Sequence, residues 1–565
     1  MKTVLINANI FTMNPESPWA HAMVLDDETI SYIGPDEKWL WSGVAGDQAQ
    51  VVDMRGKYIY PGFVDSHIHP GMVSESAWHI RLPWTEDMDE ILTFIEDFAK
   101  EHPKEEMPLL YFEYYPTSLF GDGRPDKRIL DRACHDRPVM CQDFGEHEHW
   151  YNSKMLAAME VFKDTKDPIP GMQEFVRDEH GEPIGCGTEL VHLESPFLEN
   201  LFRNIGWTPP DALTPEGMTP FFDFIANSGI TSIADGITEG EAQLQAMYEL
   251  DLAGKLHVYY DGVLRFYQYD ELLERIKECK RLNAKYNTKH IKINTMKLFL
   301  DGTNEIGNSA SLHPHIDDPN QSNYGQIAME TDELKDCLIL CNREGVDIHI
   351  HMVGDRAFRV GCDAVEQARL EVEKSGELWR CQPIFAHCEI IDPSDMTRPT
   401  ALGIIVNVTC HWCGGYFGEE AMRFFSKEKW DRMYQFNPII QSGGHLTFSS
   451  DVVTFYELHR ANPFFGMQVA ATRVDPEFPL DKNRYPGSMR PQESAKLSVL
   501  DLMRGYTING AKQMRLDNIL GSLEVGKIAN MNVCSENIET ANPATLGKLR
   551  WDAIIFEGKV IRGKL

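Results

Sequence analysis

Tyr60-Pro61-Gly62-Phe63-Val64-Asp65-Ser66-His67-Ile68-His69-Pro70-Gly71 is the stretch on which the fold turns. An apolar run, Tyr58-Ile59-Tyr60, breaks at Pro61-Gly62, resumes at Phe63-Val64 and delivers two histidines two residues apart. On a β-strand, residues i and i+2 point to the same face. His67 and His69 therefore reach one point, and neutral imidazole is the commonest metal ligand. The pair carries weight only if the chain supplies further ligands in a workable order.

Outward from this stretch, strand-like and helix-like pieces alternate, the pattern of a parallel α/β fold. Strands are expected at 229–236, 291–299, 346–351, 383–387, 403–408 and 445–449, with helices at 243–252, 269–283, 331–343 and 357–375. Most of these strands run into a polar residue. In a (β/α)8 TIM barrel the chemistry sits at such C-terminal strand ends. Short strands separated by turn signals fill residues 1–60, and the same texture returns after Gly521. The expected organisation is a composite β-sandwich from residues 1–60 and 516–565, and a barrel over 61–515. An insertion at about 108–218 breaks the barrel's rhythm and is expected over its mouth.

The 565 residues carry a formal net charge of −32, which argues against nucleic acid and anionic membranes as partners. A small-molecule substrate is expected instead. The twelve cysteines form no secreted-type framework, and the lone C-x-x-C, Cys410-His411-Trp412-Cys413, lacks a second pair, so buried thiols are expected. A polar opening and the lack of an 18-residue apolar run make the cytoplasm the expected compartment.

The polar strand ends are His67, His69, Lys297, His351, His387 and Asp451. Each has a plainer reading. His387 alone reads as a hydrogen-bonded core histidine, and Asp451 as a helix cap. His349 and His351 share a face, and His351 is chosen as the one nearer the strand end. Lys297 closes an apolar strand, where burial is costly unless the amine is paired. An amine with a depressed pKa also reacts with carbon dioxide to form an anionic carbamate. Six such groups at successive strand ends make the joint reading stronger than the separate ones.

These motifs resemble the metal-dependent amidohydrolase superfamily, in the amidohydrolase-3 branch that includes N-substituted formamide deformylases. The similarity runs from Val52-Asp53-Met54-Arg55-Gly56-Lys57 and the opening stretch through Lys297-Leu298-Phe299-Leu300-Asp301-Gly302. It continues in His351-Met352-Val353-Gly354-Asp355 and Ser450-Asp451, and ends in Gly521 to Asn530. The resemblance implies that His67, His69 and Asp451 hold one zinc ion, that His351 and His387 hold a second, and that carboxylated Lys297 bridges them. A shared hydroxide would attack the substrate carbonyl, with Asp451 as general acid and base. His147, before Trp150-Tyr151-Asn152-Ser153, falls where the branch has a pocket histidine. His411, after strand seven, is a second substrate-binding candidate with an equal structural reading. A homodimer is the family-level expectation.

The chain departs from the branch in having Ala386, where a Glu is usual, before His387, and Asn530 after Ala529. Neither change removes a ligand. The expected activity is hydrolysis of a linear C–N amide, an N-substituted formamide or N-acyl amine. A cyclic amide, lactone or ester hydrolase using the same site is the alternative, and a non-catalytic scaffold is disfavoured by the complete ligand set.

Overall fold

A computed structural model of the chain describes residues 2–121, 123–169, 173–190, 197–477, 481, 483–490 and 492–565. Eight parallel strands form its central sheet. They are β1 (Phe63–Ile68), β2 (Ile230–Asp235), β3 (Tyr259–Arg265), β4 (Ile291–Phe299), β5 (Asp347–Met352), β6 (Pro383–His387), β7 (Ile405–Thr409) and β8 (His445–Ser449), paired in sequence order. The two ends of the sheet meet. The Ser66 hydroxyl donates to the Phe448 carbonyl at 2.7 Å, and the Asp451 N–H donates to the His67 carbonyl at 2.8 Å. β1, β2, β5, β6 and β7 are buried at every residue, which is why they read as near-continuous apolar runs without alternation. Helices Gly240–Leu252, Tyr269–Tyr286, Thr331–Glu344 and Asp355–Lys374 follow β2 to β5, within three residues of their expected ends. In the second of these, Leu272, Ile276, Cys279 and Leu282 make the buried stripe, at helical spacing. The molecule is a (β/α)8 barrel.

The barrel strand absent from the sequence expectation is β3. Its centre, Asp261-Gly262, is a turn dipeptide by type. The structure keeps it extended, with a register shift between Gly262 and Val263 against β4. A Cβ at Gly262 would lie 2.9 Å from the Tyr260 ring, so the strand needs the bare backbone there.

One polar network of the barrel interior below the site is satisfied. Asn407 donates to Ser66 and Thr447 at 2.9 and 3.0 Å, Thr447 donates to the Gln513 side-chain carbonyl at 2.6 Å, and Gln513 donates to the Ser66 carbonyl at 2.7 Å. Such a network stabilises one packing only because each member has a partner.

Two further sheets use the chain's ends. One has four strands: Thr29–Gly34, Ala22–Asp26, Thr3–Ile6 and Gln50–Asp53. The other has six and places Tyr58–Pro61 between Asn9–Phe11 and Met531–Cys534, with Ala553–Phe556 and Lys559–Gly563 beyond. Leu5 and Met23 of the first pack with Ile10, Ile59, Met531 and Ile555 of the second in one buried cluster. Between β1 and β2 the chain builds a six-stranded mixed sheet that reaches from Ile80–Arg81 to Glu174–Arg177 and Pro183–Thr188. This segment is thus a folded layer with its own apolar clusters, and it begins before residue 108. All twelve cysteines are buried and none is disulfide-bonded. Among the described residues no helix is long and apolar enough to cross a membrane.

Candidate metal centre

β1 ends on His67 and Ile68, and His69 lies at the start of the next helix. Asp451 follows β8. The ligand atoms of His67, His69 and Asp451 all lie within 4.8 Å of one another. His69 Nε2 is 3.0 Å and His67 Nε2 3.4 Å from Asp451 Oδ1. Lys297 Nζ lies 3.4 Å from His67 Nε2, and His387 Nδ1 lies 3.4 Å from Asp451 Oδ2. The His351 ring is 4.5 Å from that of His387, and its Nε2 is 3.4 Å from the Gly302 carbonyl oxygen. All six side chains line one cavity. His349 also points inward but sits one layer deeper, edge-on to His67 at 4.6 Å, outside the cavity lining.

The backbone is bent to achieve this. His387, Cys388 and Asp451 have φ of 72°, 47° and 50°, in the left-handed region. Such non-glycine residues cost about 1–3 kcal/mol each and persist where surroundings over-determine them. For Asp451 the surroundings are visible. Asp65 accepts from the Ser450 hydroxyl at 2.6 Å and from the Ser450 and His67 N–H groups at 3.1 and 3.3 Å. One buried carboxyl thus ties the end of β1 to the turn after β8.

Electrostatics favour ligation. Burial, reinforced by the charge of Lys297, holds His67, His349 and His351 well below the usual imidazole range; His387 is lowered by burial, His351 and Lys297. Neutral imidazole is the ligating form. Burial also pushes the Lys297 ammonium down to about 8, against the pull of Asp451. At that value about one amine in ten is uncharged at pH 7, the form that reacts with carbon dioxide. Gly236, after β2, gives the imidazoles room: a Cβ there would stand 2.4 Å from His69 Nε2 and 2.5 Å from His67 Cδ2. A buried, unbonded His387 Nδ1 beside the Asp451 carboxylate fits a cation between them.

The inserted layer supplies the opposite wall with Glu146, His147 and Glu189. His147 Nδ1 is 2.7 Å from Glu189 Oε2, and Asn308 donates to Glu189 Oε1 at 2.9 Å. Burial disfavours charge on His147, but the Glu189 carboxylate outweighs it and holds the imidazole up to about 9. An imidazolium therefore faces the cavity, with its ring 6.2 Å from His351. His149 faces away from this cavity and lines the neighbouring one, so the two histidines do not make a ligand pair. His411 is buried outside the cavity lining; Trp412 beside it lines the wall, stacked on His387 at 5.3 Å. Tyr114 and Trp84 line a separate cavity with Arg81 and Glu457. Arg265, the last residue of β3, lies in the wall with its guanidinium 5.1 Å from the Tyr267 ring. It was missed with its strand. Glu189 and Gly236 carry no sequence signal of their own.

The sequence model of the amidohydrolase family matches residues 50–562. Exoenzymes regulatory protein AepA of Pectobacterium carotovorum subsp. carotovorum is 26% identical over 455 residues, covering 79% of this chain and 93% of that protein. N-substituted formamide deformylase of Arthrobacter pascens is 23% identical over 548 residues, covering 94% of this chain and 92% of that one. Among solved structures, an uncharacterized metal-dependent hydrolase from Pyrococcus horikoshii OT3 aligns with a TM-score of 0.67 at 21% identity, over 96% of this chain and 99% of the other, a likeness of fold. The family match runs from before β1 to the closing hairpin and takes in every residue gathered at the barrel mouth, and the chain is a member of the amidohydrolase family.

Proposed function

We propose that the protein is a zinc-dependent hydrolase of linear C–N amide bonds, acting on N-substituted formamides or short N-acyl amines. The observation that carries the reading is the convergence of His67, His69 and Asp451 within 4.8 Å, with Lys297, His351 and His387 around them. Imidazole and carboxylate donors suit zinc. His67, His69 and Asp451 would hold one ion, His351 and His387 a second, and carboxylated Lys297 would be shared. When bound, the metal supplies a Lewis acid for the carbonyl and a water acidified toward neutral pH.

The chain's own residues do the rest. Asp451 takes the proton released by the attacking water in this reading and returns it to the departing nitrogen, so that an amide and water become an acid and an amine. His147, kept protonated by Glu189, donates to the carbonyl oxygen as negative charge grows there. The Arthrobacter pascens relative, named for the deformylation of N-substituted formamides, supports an acyl group of that kind.

The test is amine release from N-alkyl and N-aryl formamides, N-acyl amines and cyclic amides by zinc-reconstituted protein with bicarbonate, beside a chelated control. Chelator-sensitive turnover of the linear amides is the expected result. Turnover confined to cyclic amides or esters moves the substrate class. No turnover and no bound metal overturns the reading.

A further inference from the structure

The metal cavity is small, about 80 Å³, and a second cavity of about 330 Å³ lies against it. Met72, Arg265 and Val453 line both, so the two are neighbours that meet at those side chains. An apolar cavity of about 150 Å³ holds benzene, and a water takes about 30 Å³ of liquid. The metal cavity therefore has space for a formyl or acetyl group and little else. The second cavity has space for an aryl group with its linker.

Its chemistry is specific. Trp78, Leu109, Leu198, Leu201 and Phe202 make apolar walls between the barrel and the inserted layer. Glu113, on the strand Leu110–Tyr115, is 1% exposed. Its Oε1 is 2.5 Å from His79 Nδ1, and the His79 ring stacks on Tyr111 at 3.8 Å. Its other oxygen, Oε2, is buried with no hydrogen-bond partner. A buried acceptor beside apolar walls calls for a donor. Glu75 and Glu239 line the same space with Arg265, so carboxylates outnumber the one guanidinium among the lining residues and an anionic group is disfavoured.

We propose that this second cavity is the subsite for the amine side of the substrate, and that it takes an aryl or arylalkyl group carrying a hydrogen-bond donor that Glu113 accepts. The inference rests on the hydrolase reading for its link to turnover, but the cavity can be tested by binding alone.

The experiment uses the zinc-loaded full chain and titration calorimetry with 4-hydroxyphenethylamine, phenethylamine, ethylamine and 4-hydroxyphenylacetate. The hydroxyl-bearing amine should bind several-fold to about tenfold more tightly than phenethylamine, as one hydrogen bond provides. Ethylamine should bind more weakly than both, and the carboxylate not measurably. Glu113→Gln should erase most of the hydroxyl preference. Leu198→Trp, at a half-buried wall position, should weaken both aryl amines by about tenfold or more by filling the space. Glu113→Gln preserves size and keeps the test alive if Leu198→Trp fails to fold. Equal binding of all three amines, or indifference to both variants, overturns the subsite. Aryl-amine binding with the expected pattern but no amide turnover leaves the subsite standing and removes the hydrolase reading. N-ethylformamide turnover without aryl preference does the reverse.

Discussion

The contact between His147 and Glu189 offers the most quantitative handle on the site. Glu189→Gln keeps the shape and the bond to Asn308 but removes the charge that holds His147 up to about 9. With Glu189 neutral, burial faces only the weaker pulls of Asp143 and Glu305, and the imidazole should return to about 6.5. The fall from about 9 to about 6.5 corresponds to about 3 kcal/mol of pairing. This stabilisation is fully present below pH 6.5, the unfolded value, and is lost as pH rises through 9. At pH 8 the protonated fraction falls from about nine-tenths to about 3%, so kcat/KM on a formamide should drop about 30-fold. At pH 6 the two enzymes should differ by less than about twofold. The assay is a pair of pH–kcat/KM profiles, read with an NMR titration of the His147 ring in both proteins. A wild-type His147 titrating near 6.5 refutes the electrostatics. A basic limb that stays in place in the variant, while the ring pKa moves, refutes the substrate contact.

If the site holds the proposed pair of zinc ions, Lys297→Met should lower bound zinc from two ions to one and abolish any rate gain from bicarbonate, measured by metal analysis and by initial rates; unchanged stoichiometry counts against the bridge. Gly236→Ala should push a methyl into the His67 and His69 rings and weaken metal affinity by about 10–100-fold, the size typical of disturbed ligand support, in a chelator competition. His290, on the barrel's outside, sits between Asp251 at 2.6 Å and Glu557 at 3.0 Å; burial opposes its charge, yet these carboxylates hold it up to about 9. Its stabilisation is present below pH 6.5 and lost as pH rises through 9. His290→Ala should therefore destabilise most at pH 6 and least at pH 10 in denaturant melts, and a cost that grows with pH would contradict this.

The barrel was legible because its strands are buried on both faces and so stand out as short apolar runs bounded by turns. β3 was not, since Asp261-Gly262 has the local chemistry of a turn, and only its packing against Tyr260 and Ile293 shows why the backbone stays extended. Arg265 went unnoticed with it. The histidines and Lys297 announced themselves as polar residues ending apolar strands. Asp65 lay inside the opening stretch, but its tie to Ser450 spans 385 positions and leaves no local trace. Glu189 is equally silent, one carboxylate among many until the fold sets it against His147. The choice of His351 over His349 followed from distance to the strand end, and the cavity lining includes the former and omits the latter. His411 shows the limit of the same reasoning: after β7 the chain turns, and it is Trp412 that lines the cavity wall.

The six-stranded sheet made from both termini has a consequence for how the protein is born. Tyr58 pairs with Cys534, so a strand that leaves the ribosome early waits about 470 residues for one neighbour. At about 5–20 residues per second, synthesis leaves that edge uncovered for roughly half a minute to a minute and a half. Gln513, which completes the polar floor of the barrel, also comes late. Ribosome-bound chains cut short of residue 510 should thus hold a barrel floor without Gln513 and a bare strand edge, prime targets for chaperone capture. The last tenth of the chain, remote from the chemistry, sets when the terminal sheet and the barrel floor are complete.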